Sequence, residues 1–178
     1  MSQKACILSL LPRHHFSELS MFAEQILIQK KNNMETQQRP TLTVETNVEA
    51  PVEIAWACWT QPEHITKWSF ASPDWHTPHA TNDLREGGTF SSRMEAKDGS
   101  MGFDFGGVYD VVKQHEEIAY TLGDGRKVNI HFIPEGNRTR IVENFQAEET
   151  NSLELQQGGW QAIMDNFKRY TETYRDKK

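Results

Sequence analysis

The sequence predicts an α+β domain in which a curved antiparallel sheet of about seven strands closes on one long C-terminal helix, with two short helices beside it. Three observations carry this prediction. Between Trp75 and Phe145, turn signals recur at hairpin spacing: Glu86-Gly87-Gly88, Asp98-Gly99, Gly123-Asp124-Gly125 and Pro134-Glu135-Gly136-Asn137. Between those turns, apolar residues alternate with the period of a half-buried strand. After Glu148-Glu149 the period becomes helical and stays so almost to the C-terminus.

Residues 1–40 read as an N-terminal extension, partly helical or disordered, ahead of a domain over residues 41–178. The extension is more basic than acidic and ends in the polar stretches Lys30-Lys31-Asn32-Asn33 and Gln37-Gln38-Arg39-Pro40. Within it, Ser17 can cap an amphipathic helix carrying Leu19, Phe22, Ala23 and Ile26 at helical spacing. The apolar run from Cys6 to Leu11 falls short of the ~7 residues of a secretory core. Met34 stands just before the domain pattern and is a candidate natural start.

From Thr41 to Val48, alternation of Leu42, Val44 and Thr46 with polar neighbours predicts the first strand, closed by Ala50-Pro51. Proline in a first helical turn costs no hydrogen bond, so Pro51 opens a helix through Ile54, Ala55 and Cys58. Pro62 starts a second short helix, Glu63 to Trp68. About six strands follow as a meander. Among them, Ile118, Tyr120 and Leu122 share a face, as do Val128, Ile130 and Phe132, and again Thr139, Ile141, Glu143 and Phe145. The terminal helix is expected to run for about 22 to 25 residues, roughly 35 Å. Trp160, Ile163, Met164, Phe167, Tyr170 and Tyr174 form its stripe, and Asn151 and Glu154 are placed like a capping box. Gly158 and Gly159 lie inside it at ~1 kcal/mol each against alanine. Close helix-to-sheet packing is the expected reason, with a ligand-admitting lip as the alternative.

Composition narrows the functions. A chain of 178 residues suits a single core, and its net charge of −6 argues against a phosphate-backbone partner, so no nucleic acid is expected. No apolar run approaches the ~18 residues of a membrane span. Two cysteines, Cys6 and Cys58, build neither a disulfide framework nor a cysteine metal site, which places the expected residence in a reducing cytoplasm. Cys58, between Trp56 and Trp59, reads as a small buried thiol.

The pieces Val48 to Trp56, Pro62-Glu63-His64, Trp68 and Asp83 to Phe90, then Asp98-Gly99, Gly106-Gly107-Val108-Tyr109, Ile118 to Thr121, Thr139 and Gly159-Trp160, carry a resemblance through their order and spacing. From Val44 to Tyr174 the chain resembles the Bet v 1-like/START superfamily, the SRPBCC group, and within it the branch related to the C-terminal domain of the Hsp90 ATPase activator. The resemblance implies a helix-grip fold with a ligand cavity and does not by itself imply an activity. It also implies an Hsp90-type chaperone as a candidate partner. The eukaryotic co-chaperone, however, carries a separate N-terminal domain that residues 1–40 cannot supply.

A strongly curved sheet has a concave face that one helix fills only in part. Candidates to line that space are Met94, Met101, Phe103, Phe105, Tyr109, Tyr120, Phe145, Trp160, Met164 and Phe167, a mixture of thioethers and rings suited to a flat or chain-like apolar molecule or to ordinary core. Glu143 shares their phase, and burial there raises a carboxyl pKa unless it is paired. A salt bridge to Arg93 or Arg140 is the ordinary reading; ligand anchoring or acid/base work is the alternative. His131 is out of phase and faces outward. His76 and His79, three apart on a strand, point to opposite faces, and Asp74 and Trp75 sit beside them near the expected mouth. No metal and no cofactor are expected, and no nucleophile motif or phosphate loop is legible. The leading expectation is non-enzymatic binding of a small hydrophobic molecule, a lipid or polycyclic aromatic. A module stimulating Hsp90 ATPase and a cyclase- or hydrolase-type enzyme of the same superfamily are the alternatives.

Overall fold

The computed structural model describes residues 39–177, so the expected helix at Ser17, Met34 and Cys6 lie outside the described residues. Strand β1 (Thr41–Val48) leads into helices α1 (Val52–Thr60) and α2 (Pro62–Trp68). Six strands follow: β2 (Trp75–Asn82), β3 (Thr89–Ala96), β4 (Gly102–Lys113), β5 (Glu117–Leu122), β6 (Lys127–Glu135) and β7 (Arg138–Gln146). Helix α3 (Leu153–Arg175) closes the order. The sheet order is β1-β7-β6-β5-β4-β3-β2, antiparallel throughout. The meander therefore runs from the β2 edge to β7, beside which β1 forms the other edge, and α1 and α2 carry the chain from β1 across to β2.

Local rules explain each element. Pro51 and Pro62 supply the starts of α1 and α2, where a missing N–H is harmless. Gly87, Gly99, Gly125 and Gly136 have φ between +69° and +82°, the left-handed turn region that side chains avoid. Curvature has its own residues. In β4, a Cβ on Gly106 would stand 2.6 Å from the Phe90 carbonyl oxygen, and one on Gly107 would stand 2.4 Å from that of Thr121. The same strand carries a bulge between Tyr109 and Val111, a device that bends and twists a sheet.

The concave face is the core face. Register places Val44, Glu143, Ile130, Ile118 and Val112 in one cross-strand row, and Leu42, Phe145, Val128, Tyr120 and Tyr109 in the next. Helix α3 lays its stripe on this face, beside α1 and α2. Phe167, fully buried, meets Trp59 at 4.7 Å and Trp68 at 5.0 Å between ring centroids, while the Trp68 indole N–H donates to the Cys58 carbonyl at 2.9 Å. Burying such a ring contributes about 1.5–3 kcal/mol, and each aromatic pair about 0.5–1.5 kcal/mol more. Cys58 itself is fully buried.

Two local expectations are corrected. The cap of α3 is Ser152, whose Oγ accepts the Leu155 N–H at 3.2 Å; Asn151 is drawn away because its Nδ2 donates to Glu148 at 2.7 Å. Gly158 and Gly159 are not forced by close packing, because a Cβ on either would meet nothing within 4 Å.

Candidate functional site

The concave face is wider than the stripe of α3, and the difference is a cavity. Its volume is about 320 Å³. Toward the surface it continues into a second space of about 510 Å³, with Met94, Phe103, Trp160 and Ile163 lining both. The second space is rimmed by Phe70, Ala71, Ser72 and Trp75 from the α2–β2 segment and by Leu155 and Gly159 from the first turns of α3. This is the mouth.

Seven of the sequence-predicted residues are brought together on the walls. Met94 stands on β3, Phe103, Phe105 and Tyr109 on β4, Tyr120 on β5, Glu143 on β7 and Trp160 on α3. The other four stand apart from the inner wall. Phe145 is fully buried and stacks flat under Trp160 at 4.0 Å, so it supports the wall from behind. Met164 and Phe167 fill the concavity further along α3. Met101, 67% exposed, precedes β4 on the outside. Sequence reasoning missed Trp59, Ile65 and Trp68 from the short helices, and also Phe90, Ser92 and Ile163. Phe90 and Ser92 follow from Met94 by period two along β3, and Ile163 lies one helical turn after Trp160.

Several polar groups on the wall are satisfied by protein. The Tyr109 phenol donates to Asn82 at 2.7 Å, and Arg126 pairs with Asp124 at 2.7 Å. Gln156 staples the β7–α3 connection: its amide donates to the carbonyls of Glu148 and Asn151, at 3.1 and 2.8 Å, and accepts the Glu148 N–H at 2.8 Å. Glu148 in turn accepts the Thr150 and Asn151 backbone N–H groups, which hold its carboxyl far down, at about 2.

Glu143 differs. It is 5% exposed, lines the cavity, and makes no hydrogen bond or ion pair with any of the described residues. The expected arginines are elsewhere for a geometric reason. Arg140 lies an odd number of positions from Glu143 and so on the outer face, where it pairs with Glu45 at 2.6 Å; Arg93 is out of phase with Met94 and pairs with Glu95 at 3.2 Å. Burial alone pushes the Glu143 carboxyl up to about 8. Tyr120 is likewise pushed up, by burial first and by Glu143 next, which places the two within electrostatic reach across β6. Its phenol makes no hydrogen bond among the described residues. The arrangement is an apolar, aromatic chamber holding a protonated carboxyl and a phenol with unused donors. No second titratable side chain hydrogen-bonds Glu143, as an orienting partner in an acid/base pair would.

Outside the cavity, His131 is exposed, and His76 pairs with Glu95 at 3.1 Å beside the β2 irregularity. Among the described residues, no group of three or more potential ligands converges for a metal, and no helix is long and apolar enough to cross a membrane.

Comparison with known proteins agrees with this architecture. The family model for Activator of Hsp90 ATPase homolog 1-like protein matches residues 49–172. The solution structure of an AHSA1-like protein from Aeromonas hydrophila is 41% identical, with a TM-score of 0.72 over 76% of this chain and 94% of that one. A solution structure from Cytophaga hutchinsonii is 58% identical, with a TM-score of 0.66 over the same shares. A crystal structure from Nitrosomonas europaea, at 19% identity and a TM-score of 0.67, shares the fold. No curated protein matches the chain. With a model covering well over half its length and relatives of this identity, the chain belongs to the Activator of Hsp90 ATPase homolog 1-like family, a branch of the SRPBCC group.

Proposed function

We propose that this protein is a non-enzymatic container for a small hydrophobic molecule, a lipid or polycyclic aromatic, held between sheet and α3 in the cytoplasm. The observation that carries this reading is the aromatic chamber of about 320 Å³ with a mouth, a size and lining typical of small-molecule sites. Tyr120, Phe105, Met94 and Trp160 are the proposed apolar contacts, with Glu143 as the polar one. Phe145 acts behind Trp160, and Met164 and Phe167 close the far end. The container is the domain from residue 41 onward, and residues 1–40 are an extension to it. Titration with fluorene, followed by amide and side-chain NMR, tests the reading. Shifts are expected at Tyr120, Trp160 and Ile163. Shifts confined to outward residues such as His131 and Ile133 would refute it.

A second reading, a module that docks on an Hsp90-type chaperone and stimulates its ATPase, draws on the family and on the exposed apolar side chains Phe103 and Leu155 at the mouth and Met101 before β4. Turnover of the same organism's Hsp90 with and without the protein decides it. A Met101→Ser, Leu155→Ser variant should lose any stimulation observed.

A further inference from the structure

Glu143 lies on the concave face between Val44 and Ile130, in the middle of a hydrophobic row, where a leucine would pack without penalty. Its carboxyl opens onto the cavity and has no partner among the described residues, and the Tyr120 phenol two strands away is in the same condition. A polar group set in an apolar surrounding is costly unless it is hydrogen-bonded. Two such groups facing one apolar chamber therefore call for a ligand atom between them. We propose that the cavity takes apolar molecules carrying a ketone-type oxygen, which the Glu143 carboxyl and the Tyr120 phenol grip as paired hydrogen-bond donors.

This proposal rests on the container reading and names the chemistry of its ligand. An acceptor oxygen has two lone pairs and no proton, so it satisfies two neutral donors without bringing a charge into the chamber. A cationic amine would require Glu143 to ionise there, and both charges would lose their hydration. The aromatic wall of Phe90, Tyr120 and Trp160 offers a cation some return, so the amine is the competitor to test.

The grip depends on pH. The titratable or charged groups on the cavity wall are Tyr109 on β4, Tyr120 on β5, Arg126 after β5, Glu148 after β7, and Glu143 itself. Val44, Ile130, Trp59, Trp160 and Ile163, facing from β1, β6, α1 and α3, carry no charge. Both phenols are pushed up by burial, Glu148 is held low, and Arg126 is paired with Asp124. Glu143 is thus the group whose charge changes near neutrality. Above pH 8 it ceases to donate and repels the ligand oxygen.

The test uses the full chain with three probes of one shape: fluorenone, the parent hydrocarbon fluorene, and the aliphatic amine aminomethylfluorene. Binding is followed by tryptophan fluorescence and cavity NMR shifts on both sides of pH 8. Fluorenone is expected to bind roughly tenfold tighter than fluorene below pH 7, as two modest hydrogen bonds provide, and to lose that preference above pH 9. Glu143→Gln, which keeps an N–H donor, should retain the preference and lose its pH dependence; Glu143→Leu and Tyr120→Phe should each shrink it. Equal binding of fluorenone and fluorene at every pH would overturn the proposal while leaving the container standing. Tightest binding of the amine would overturn it in favour of a cation site. Failure of all three probes to move cavity resonances would remove the container reading and this inference with it.

Discussion

Replacing Glu143 by glutamine should stabilise the protein, and by an amount that depends on pH. The carboxyl titrates at an ordinary 4.5 when the chain is unfolded and at about 8 when folded, through desolvation. Between those values the folded state keeps a proton that the unfolded state has released. Stability from this group is therefore greatest below pH 4.5, falls as pH rises, and levels off above pH 8. At 1.36 kcal/mol per pH unit, the full loss is about 5 kcal/mol, and about 3 kcal/mol is already lost at pH 7. Glutamine is neutral in both states, of nearly the same shape, and offers the cavity the same kind of polar atoms. Urea unfolding of both proteins from pH 5 to pH 9 reads the difference directly, because every other titrating group is common to the pair. The glutamine variant should gain less than about 1 kcal/mol at pH 5, about 3 at pH 7 and about 5 at pH 9. Parallel stability curves would show that Glu143 has found water or a partner, and would refute the desolvated carboxyl on which the site reading stands.

Thr171, fully buried in α3 with an unsatisfied hydroxyl, should be stabilised by about 1 kcal/mol as Thr171→Val, measured by urea unfolding, because the β-branched shape is kept and the unpaired donor removed. Ser152→Ala should cost about 1 kcal/mol through loss of the α3 cap, in the same assay. Trp160→Ala should cost about 2–3 kcal/mol, less than a fully buried tryptophan, and should weaken fluorene binding, because it removes a cavity wall and exposes Phe145. Gly158→Ala should raise the unfolding midpoint, by about 1 kcal/mol of stability, since nothing occupies the space of the added Cβ.

The strands and helices were legible because each was specified locally. Pro51 and Pro62 mark helix starts, the positive-φ glycines mark turns, and period two marks the strand faces, so that even the inward phase of Glu143 could be taken from Ile141 and Phe145. The missing parts of the site belong to relations that period cannot express. Trp59, Ile65 and Trp68 reach the cavity because α1 and α2 cross beneath the sheet between its two edges, a consequence of the β1–β7 pairing. Arg93 and Arg140 are the partners the sequence suggests for Glu143, and strand parity sends both to the outer face. The cap was misplaced by one residue because Asn151 and Ser152 are both good caps, and a tertiary hydrogen bond to Glu148 chose between them.

Helix α3 divides into two parts with different work. From Met164 onward its inward side chains are in contact with the sheet and the short helices, and Phe167 anchors two rings, Trp59 and Trp68. Before Trp160, the helix stands over the mouth, its Leu155 is 63% exposed, and two glycines with open space beside them replace residues that would stiffen it. A helix needed only as core would gain from alanine at both positions, so packing does not account for the glycines. A helix whose first turns must yield while its last turns hold would place its weak point there, between the cap and the anchor. The Gly158→Ala, Gly159→Ala double variant separates these accounts. If the pair serves passage through the mouth, the variant should be more stable, bind fluorene with little change in affinity, and exchange it more slowly on and off. Unchanged exchange rates alongside the gain in stability would leave the glycines without a part in ligand entry.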